Sequence, residues 1–137
     1  MNKINCILLI DDSEPTNVFN KYIIGKANVC NHVKVAIDGE GALDYLKKSG
    51  QPGQENEYPK PDLLLLDINM PRMTGFEFLE EYRKLDNNLK SKVLIILLTT
   101  SLNPDDQKRA LGYKEVSGFQ TKPLTAKIIT DMIEKYF

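Results

Sequence analysis

Five short apolar runs alternate with five segments of helical periodicity along this chain of 137 residues. That alternation limits the fold sharply, because parallel strands cannot be joined by a tight turn and need a right-handed crossover, usually a helix. Ile7-Leu8-Leu9-Ile10 and Leu63-Leu64-Leu65-Leu66 lack the period-two alternation of a half-exposed strand, so both predict strands covered on both faces. The economical answer is an α/β fold: a doubly wound, five-stranded parallel sheet of order 2-1-3-4-5, flavodoxin-like, with helices on both sides.

The punctuation agrees with this reading. Ser13 offers an N-cap with Pro15 just inside, and Val18, Phe19, Tyr22 and Ile23 recur at helical spacing until Gly25. Val33 to Ile37 alternates as a second strand, and Ala42, Leu43, Tyr45 and Leu46 mark a helix ending near Ser49-Gly50. Gln51 to Pro61, rich in proline and polar residues, predicts a long surface loop of tolerated insertion. A strand over Asp62 to Asp67 follows, with Phe76, Phe78, Leu79 and Tyr82 on the next helix. Lys92 to Thr99 is the fourth strand, Asn103-Pro104-Asp105-Asp106 opens a short helix, Gly118 to Thr121 is the last strand and Ala126 to Tyr136 the last helix.

Length bounds the answer to one domain, residues 1–137. Lys plus Arg number 18 against 19 Asp plus Glu, a net charge of -1, so direct nucleic-acid binding or an anionic membrane partner is not expected. The apolar runs are too short to span a bilayer, and no signal-peptide pattern opens the chain, which reads as cytoplasmic. Cys6 and Cys30 show no metal-ligand spacing and read as reduced thiols. His32, the single histidine, has no partner nearby in sequence and reads as a surface or partly buried residue.

The chemistry lies at the strand ends. Asp11-Asp12 follows the first strand, Asp67 the third and Lys122-Pro123 the fifth, and ligands of such sheets bind beyond the carboxyl ends at the switch point between strands 1 and 3. Taken alone, the acidic pair is only a favourable charge at a helix N-terminus, Asp67 a turn residue and Lys122 a loop lysine. In register they place three carboxylates and one ammonium together. Carboxylates within about 4 Å repel by roughly 4 kcal/mol per pair at an effective dielectric near 20, and a hard divalent cation relieves that conflict. Oxygen donors without His or Cys point to Mg²⁺, which takes few carboxylates and completes its shell with water and phosphate oxygens. Asp67 is then a nucleophile toward phosphorus, Lys122 a point charge for phosphate oxygens, and Thr99 or Thr100 a hydroxyl donor.

Leu8-Leu9-Ile10-Asp11-Asp12, Leu65-Leu66-Asp67-Ile68-Asn69-Met70-Pro71-Arg72-Met73-Thr74-Gly75, Leu98-Thr99-Thr100 and Thr121-Lys122-Pro123 resemble a response-regulator receiver domain, and the resemblance covers essentially the whole chain. It implies that Asp67 is the phosphoacceptor, served by a sensor histidine kinase or a histidine phosphotransfer protein. It also implies that Asp12 ligates Mg²⁺ directly, Asp11 mainly through water, Asn69 through its backbone carbonyl, and that Lys122 precedes a commonly cis proline. The switch pair would be Thr99, with Thr100 the alternative, and Phe119. Their movement would remodel the surface of the fourth helix, fifth strand and fifth helix for a downstream protein target. The family likeness places kinase docking along the first helix, around Thr16, Asn17, Asn20 and Ile24, and sets Asn69 and Ser101 beside the path of hydrolytic water. The interval from Thr99 to Lys122 is about one residue longer than the family's usual one. Leu-Thr-Thr-Ser, the long loop and the short chain most resemble stand-alone, chemotaxis-regulator-like receivers and those paired with phytochrome-type sensor kinases.

Two rivals stand beside this reading. One is a Mg²⁺-dependent phosphohydrolase with an aspartate nucleophile, which usually carries a second Asp where this chain has Asn69. The other is a receiver-like scaffold working without phosphorylation, which would be marked by a missing acceptor, acidic pair or lysine. Homodimerisation is left open, since the fourth and fifth helices carry no oligomer signature. Gly39-Glu40-Gly41 is a turn rather than a dinucleotide fingerprint. Met70 and Met73 read as core or loop packing, and Glu77 to Lys84 as a solvated helix face.

Overall fold

The computed structural model describes residues 3–90, 92–100 and 103–137. In chain order the elements are β1 (Ile4–Ile10), α1 (Glu14–Ala27), β2 (Cys30–Ala36), α2 (Gly39–Ser49), β3 (Leu63–Leu66), α3 (Gly75–Arg83), α4 (Asn87–Lys90), β4 (Leu94–Thr99), α5 (Pro104–Leu111), β5 (Val116–Thr121) and α6 (Ala126–Tyr136). All neighbouring strands are parallel and the order is β2-β1-β3-β4-β5, as the alternation predicts. The short α4 is one helix more than the sequence pattern suggests. Its four residues are too few to show a helical period.

The continuous apolar runs are explained by two cores. Leu8, Ile10, Leu64, Leu66 and Leu97 face one side, where Ala42 and Leu46 of α2 and Phe78 and Leu79 of α3 cover them. Ile7, Leu9, Leu63, Leu65 and Leu98 face the other, under Ile24 of α1 and Ile129 and Ile133 of α6. Burial of each such side chain contributes about 1.5–3 kcal/mol, so β1 and β3 are held in one register by both layers.

Several boundaries differ from the sequence expectation. Helix α1 runs through Gly25 and stops at Ala27, where Asn28 takes the left-handed conformation at φ 55 and its N–H donates to the Ile24 and Gly25 carbonyls. Asparagine thus performs the terminating role expected of glycine. Strand β2 begins at Cys30 and ends at Ala36, leaving Ile37 beyond it. Strand β5 begins at Val116, and its register against β4 jumps from Ile95↔Val116 to Ile96↔Gly118. The skipped residue, Ser117, forms a bulge in β5.

The larger surprise is the face of α1. Asn17, Asn20 and Ile24 are buried, while Val18, Phe19 and Tyr22 are 64%, 45% and 60% exposed. Periodicity locates a stripe of apolar residues but not the side on which the sheet lies, and here the polar stripe faces inward. The loop after α2 is also more than a tolerated insertion. Tyr45 Oη donates to the Pro59 carbonyl at 2.7 Å in a buried bond, and its ring meets Tyr58 edge to face. No helix among the described residues is long and apolar enough to cross a membrane. Cys6 is buried, Cys30 half-buried, and both are free thiols; His32 is exposed.

Candidate functional site

Pairing of Ile10 with Leu66 brings the ends of β1 and β3 side by side, and the Asp67 N–H donates to the Ile10 carbonyl at 2.9 Å. Asp11 and Asp67 therefore leave the sheet together. Asp11 is anchored from the other neighbour, its N–H donating to the Ala36 carbonyl at 3.1 Å. Lys122 arrives from the far edge, where its N–H donates to the Thr99 carbonyl at 2.8 Å and its peptide bond to Pro123 is cis.

Carboxylate oxygens of Asp11, Asp12 and Asp67 all lie within 4.8 Å of one another. Asp11 and Asp67 are buried and Asp12 is exposed. Lys122 Nζ is 2.6 Å from Asp11 Oδ2 and 3.8 Å from Asp67 Oδ1. Asp11 Oδ1 accepts the Ser13 N–H at 2.9 Å, and Asp67 Oδ1 accepts the Asn69 N–H at 3.3 Å. Burial, with the nearby Asp11 and Asp12 charges adding to it against the pull of Lys122, pushes the Asp67 carboxyl up to about 6. Among the described residues, one ammonium faces three carboxylates. Repulsion at this spacing is about 3–4 kcal/mol per ionised pair at an effective dielectric near 20, so the donor set fits a hard divalent cation in charge, in ligand chemistry and in having one solvent-facing ligand, Asp12.

The loop after Asp67 is shaped by close packing. A Cβ on Gly75 would stand 2.7 Å from the Asp67 carbonyl oxygen and 2.8 Å from Ile68 Cα, and both neighbours are backbone. Thr74 caps α3 through a reciprocal box with Glu77, seating the helix directly under the loop. Met70 is buried and Met73 is packed against the same core. Across the rim, Arg72, at φ 66, forms an ion pair with Asp38 at 2.9 Å.

Thr99 is fully buried at the end of β4, and by strand parity it shares a face with Leu97, whose register partner is Phe119. Thr100 is exposed on the other side, in a groove with Lys122 and Pro123. Phe119 is half-buried against the α2/α3-side core. Ser101 lies outside the described residues. Of the positions expected for docking, Asn17, Asn20 and Ile24 are buried and Thr16 is half-buried, whereas Val18, Phe19 and Tyr22 are the exposed side chains of this stretch of α1. Sequence reading missed the role of Asn17, whose Nδ2 donates to the Asp11 carbonyl at 2.8 Å; a carboxamide five residues after the acidic pair was the available signal. The solvated face of α3 is also less free than periodicity suggests, since Arg83 is bidentate to Glu115 and Glu80 accepts from Tyr113 Oη.

Comparison with known proteins agrees with this geometry. The response regulator receiver domain family matches residues 7–134. Response regulator Rcp1 of Synechocystis sp. is 33% identical over 73% of this chain and 65% of its own length, so the likeness spans a little under two thirds of that protein. Chemotaxis protein CheY of Pseudomonas aeruginosa is 31% identical over 96% of this chain and 94% of its own. The crystal structure of a two-component response regulator from Cytophaga hutchinsonii has 30% identity, 98% coverage of both chains and a TM-score of 0.86, and bacteriophytochrome response regulators share the fold. With the sheet order, the acidic cluster and the family match in agreement over nearly all its length, this chain belongs to the response regulator receiver domain family.

Proposed function

We propose that this chain is a phosphorylation-controlled signalling switch that accepts a phosphoryl group on Asp67. The observation that supports this best is the convergence of Asp11, Asp12 and Asp67 within 4.8 Å, with Lys122 alongside. Asp11, Asp12, Asp67 and the Asn69 carbonyl would hold Mg²⁺, which would supply charge neutralisation for phosphate oxygens. An Asp67 carboxylate oxygen attacks phosphorus, the bond from phosphorus to the donor imidazole nitrogen breaks, and the imidazole leaves as the neutral base after taking a proton. Near neutral pH the acceptor is mostly ionised, since its carboxyl titrates at about 6, and its nucleophilic form is available. Lys122 then turns from Asp11 toward the phosphoryl oxygens.

Hydrolysis returns the carboxylate, so the chain is a signalling module that turns over only its own phosphoryl group. The donor is a histidine kinase or phosphotransfer protein, and the exposed Val18, Phe19 and Tyr22 of α1 provide apolar surface near the acidic edge for its docking. Thr99 and Phe119 act as the switch pair that reshapes α5, β5 and α6, the faces the sequence pattern numbers as fourth helix, fifth strand and fifth helix, for a protein target.

The test is intact mass after incubation with Mg²⁺ and acetyl phosphate. Wild type gains about 80 Da, one phosphoryl group on a carboxylate, and Asp67→Asn gains nothing. A phosphoryl adduct on another aspartate in Asp67→Asn would reassign the acceptor. Sustained turnover of p-nitrophenyl phosphate would favour the phosphohydrolase, and the absence of any labelling a scaffold.

A further inference from the structure

Asn17 is 5% exposed, sits in the second turn of α1 and uses only half of its carboxamide. Nδ2 donates to the Asp11 carbonyl at 2.8 Å, whereas Oδ1 is buried with no hydrogen-bond partner among the described residues. A buried acceptor without a donor costs about 1–3 kcal/mol, and a leucine at this position would avoid that cost. The residue also lines the same groove as Asp12, beside Pro71 and Arg72 of the loop that follows Asp67. Because Nδ2 holds the backbone of Asp11, one of the three converging carboxylates, the unpaired acceptor belongs to a side chain anchored beside the acidic cluster, and a donor that arrives with the ligand would satisfy it. Water bound to a divalent cation is such a donor, because the cation polarises its O–H bonds and makes them stronger hydrogen-bond donors.

We infer that Asn17 is a positioning residue for the divalent cation: its Nδ2 fixes the backbone of Asp11, and its Oδ1 accepts a hydrogen bond from a water of the cation's shell. This rests on Asp11, Asp12 and Asp67 holding Mg²⁺, and it adds a fourth side chain that no carboxylate pattern reveals. The arrangement links cation binding to α1. Asn17 is followed on that helix by the exposed Val18 and Phe19, so a loaded site stiffens the docking helix through a hydrogen bond that the empty site lacks.

Isotope-edited NMR of the full chain during Mg²⁺ titration tests this directly, with calorimetry giving the affinity. The Asn17 side-chain carboxamide resonances are expected to shift with the same midpoint as the backbone amides of Asp12 and Asp67. Asn17→Leu should weaken Mg²⁺ binding by about tenfold or more, as loss of an outer-shell partner does. If the Asp12 and Asp67 amides shift while the Asn17 carboxamide does not, the inference is overturned and the Mg²⁺ site stands. Should no resonance respond to Mg²⁺, the cation site itself fails, and this role with it. The wild-type titration decides the matter even where the leucine variant does not fold.

Discussion

The Lys122 ammonium stands 2.6 Å from Asp11 Oδ2 and 3.8 Å from Asp67 Oδ1, so it sits closer to a carboxylate other than the proposed acceptor. Both side chains are largely buried, at 15% and 7% exposure. The pair holds the end of β1 to the end of β5 across a separation of 111 residues.

Lys122→Met should therefore destabilise the metal-free protein by about 3 kcal/mol, since removing one partner leaves Asp11 buried and uncompensated. Urea denaturation in EDTA measures this. Adding Mg²⁺ should recover part of the loss for the variant and raise wild type less, because only the variant lacks its counter-charge. An unchanged midpoint in EDTA would show that Lys122 does not hold Asp11 in solution.

The raised Asp67 carboxyl gives the metal-free fold a pH dependence with a definite sign. The folded state binds this proton up to about 6, against 3.8 for the ordinary carboxyl, so this group favours folding most below pH 3.8, and that contribution is lost as pH rises through about 6. Asp67→Asn should remove the penalty. In EDTA its stability gain over wild type should be largest above pH 7, up to about 2–3 kcal/mol, and should vanish toward acid. Equal urea midpoints for the two proteins at pH 8 would refute the shift.

Two glycines make opposite predictions. Gly75→Ala places a Cβ against the backbone of Asp67 and Ile68, so it should cost about 1–3 kcal/mol and displace the acceptor loop. Gly25→Ala meets nothing within 4 Å inside α1 and should stabilise the fold by about 0.5–1 kcal/mol. Thermal melts separate them, and phosphorylation rate should fall only for Gly75→Ala.

Tyr45→Phe removes the buried donor of the Pro59 carbonyl and should cost about 1–2 kcal/mol. Faster amide exchange and proteolysis confined to residues 51–61 would locate the effect in the loop. A uniform change across the sheet would place it in the core instead.

The sequence alone determined the layer order and the placement of charged residues at the strand ends. Apolar runs without alternation, spaced by helical segments, fit strands covered twice, and the charges after the first and third of them emerge at the carboxyl edge, where Asp11, Asp12 and Asp67 are found with Lys122 from the end of β5. Registers and faces were decided by tertiary structure. Nothing local in the chain states that Ile10 pairs with Leu66, that Ser117 bulges, or that α1 turns Asn17 and Asn20 inward and Val18, Phe19 and Tyr22 outward. Periodicity measures the angle between side chains on one helix. Which side of that helix meets the sheet depends on strands distant in sequence, and so does the unpaired oxygen of Asn17.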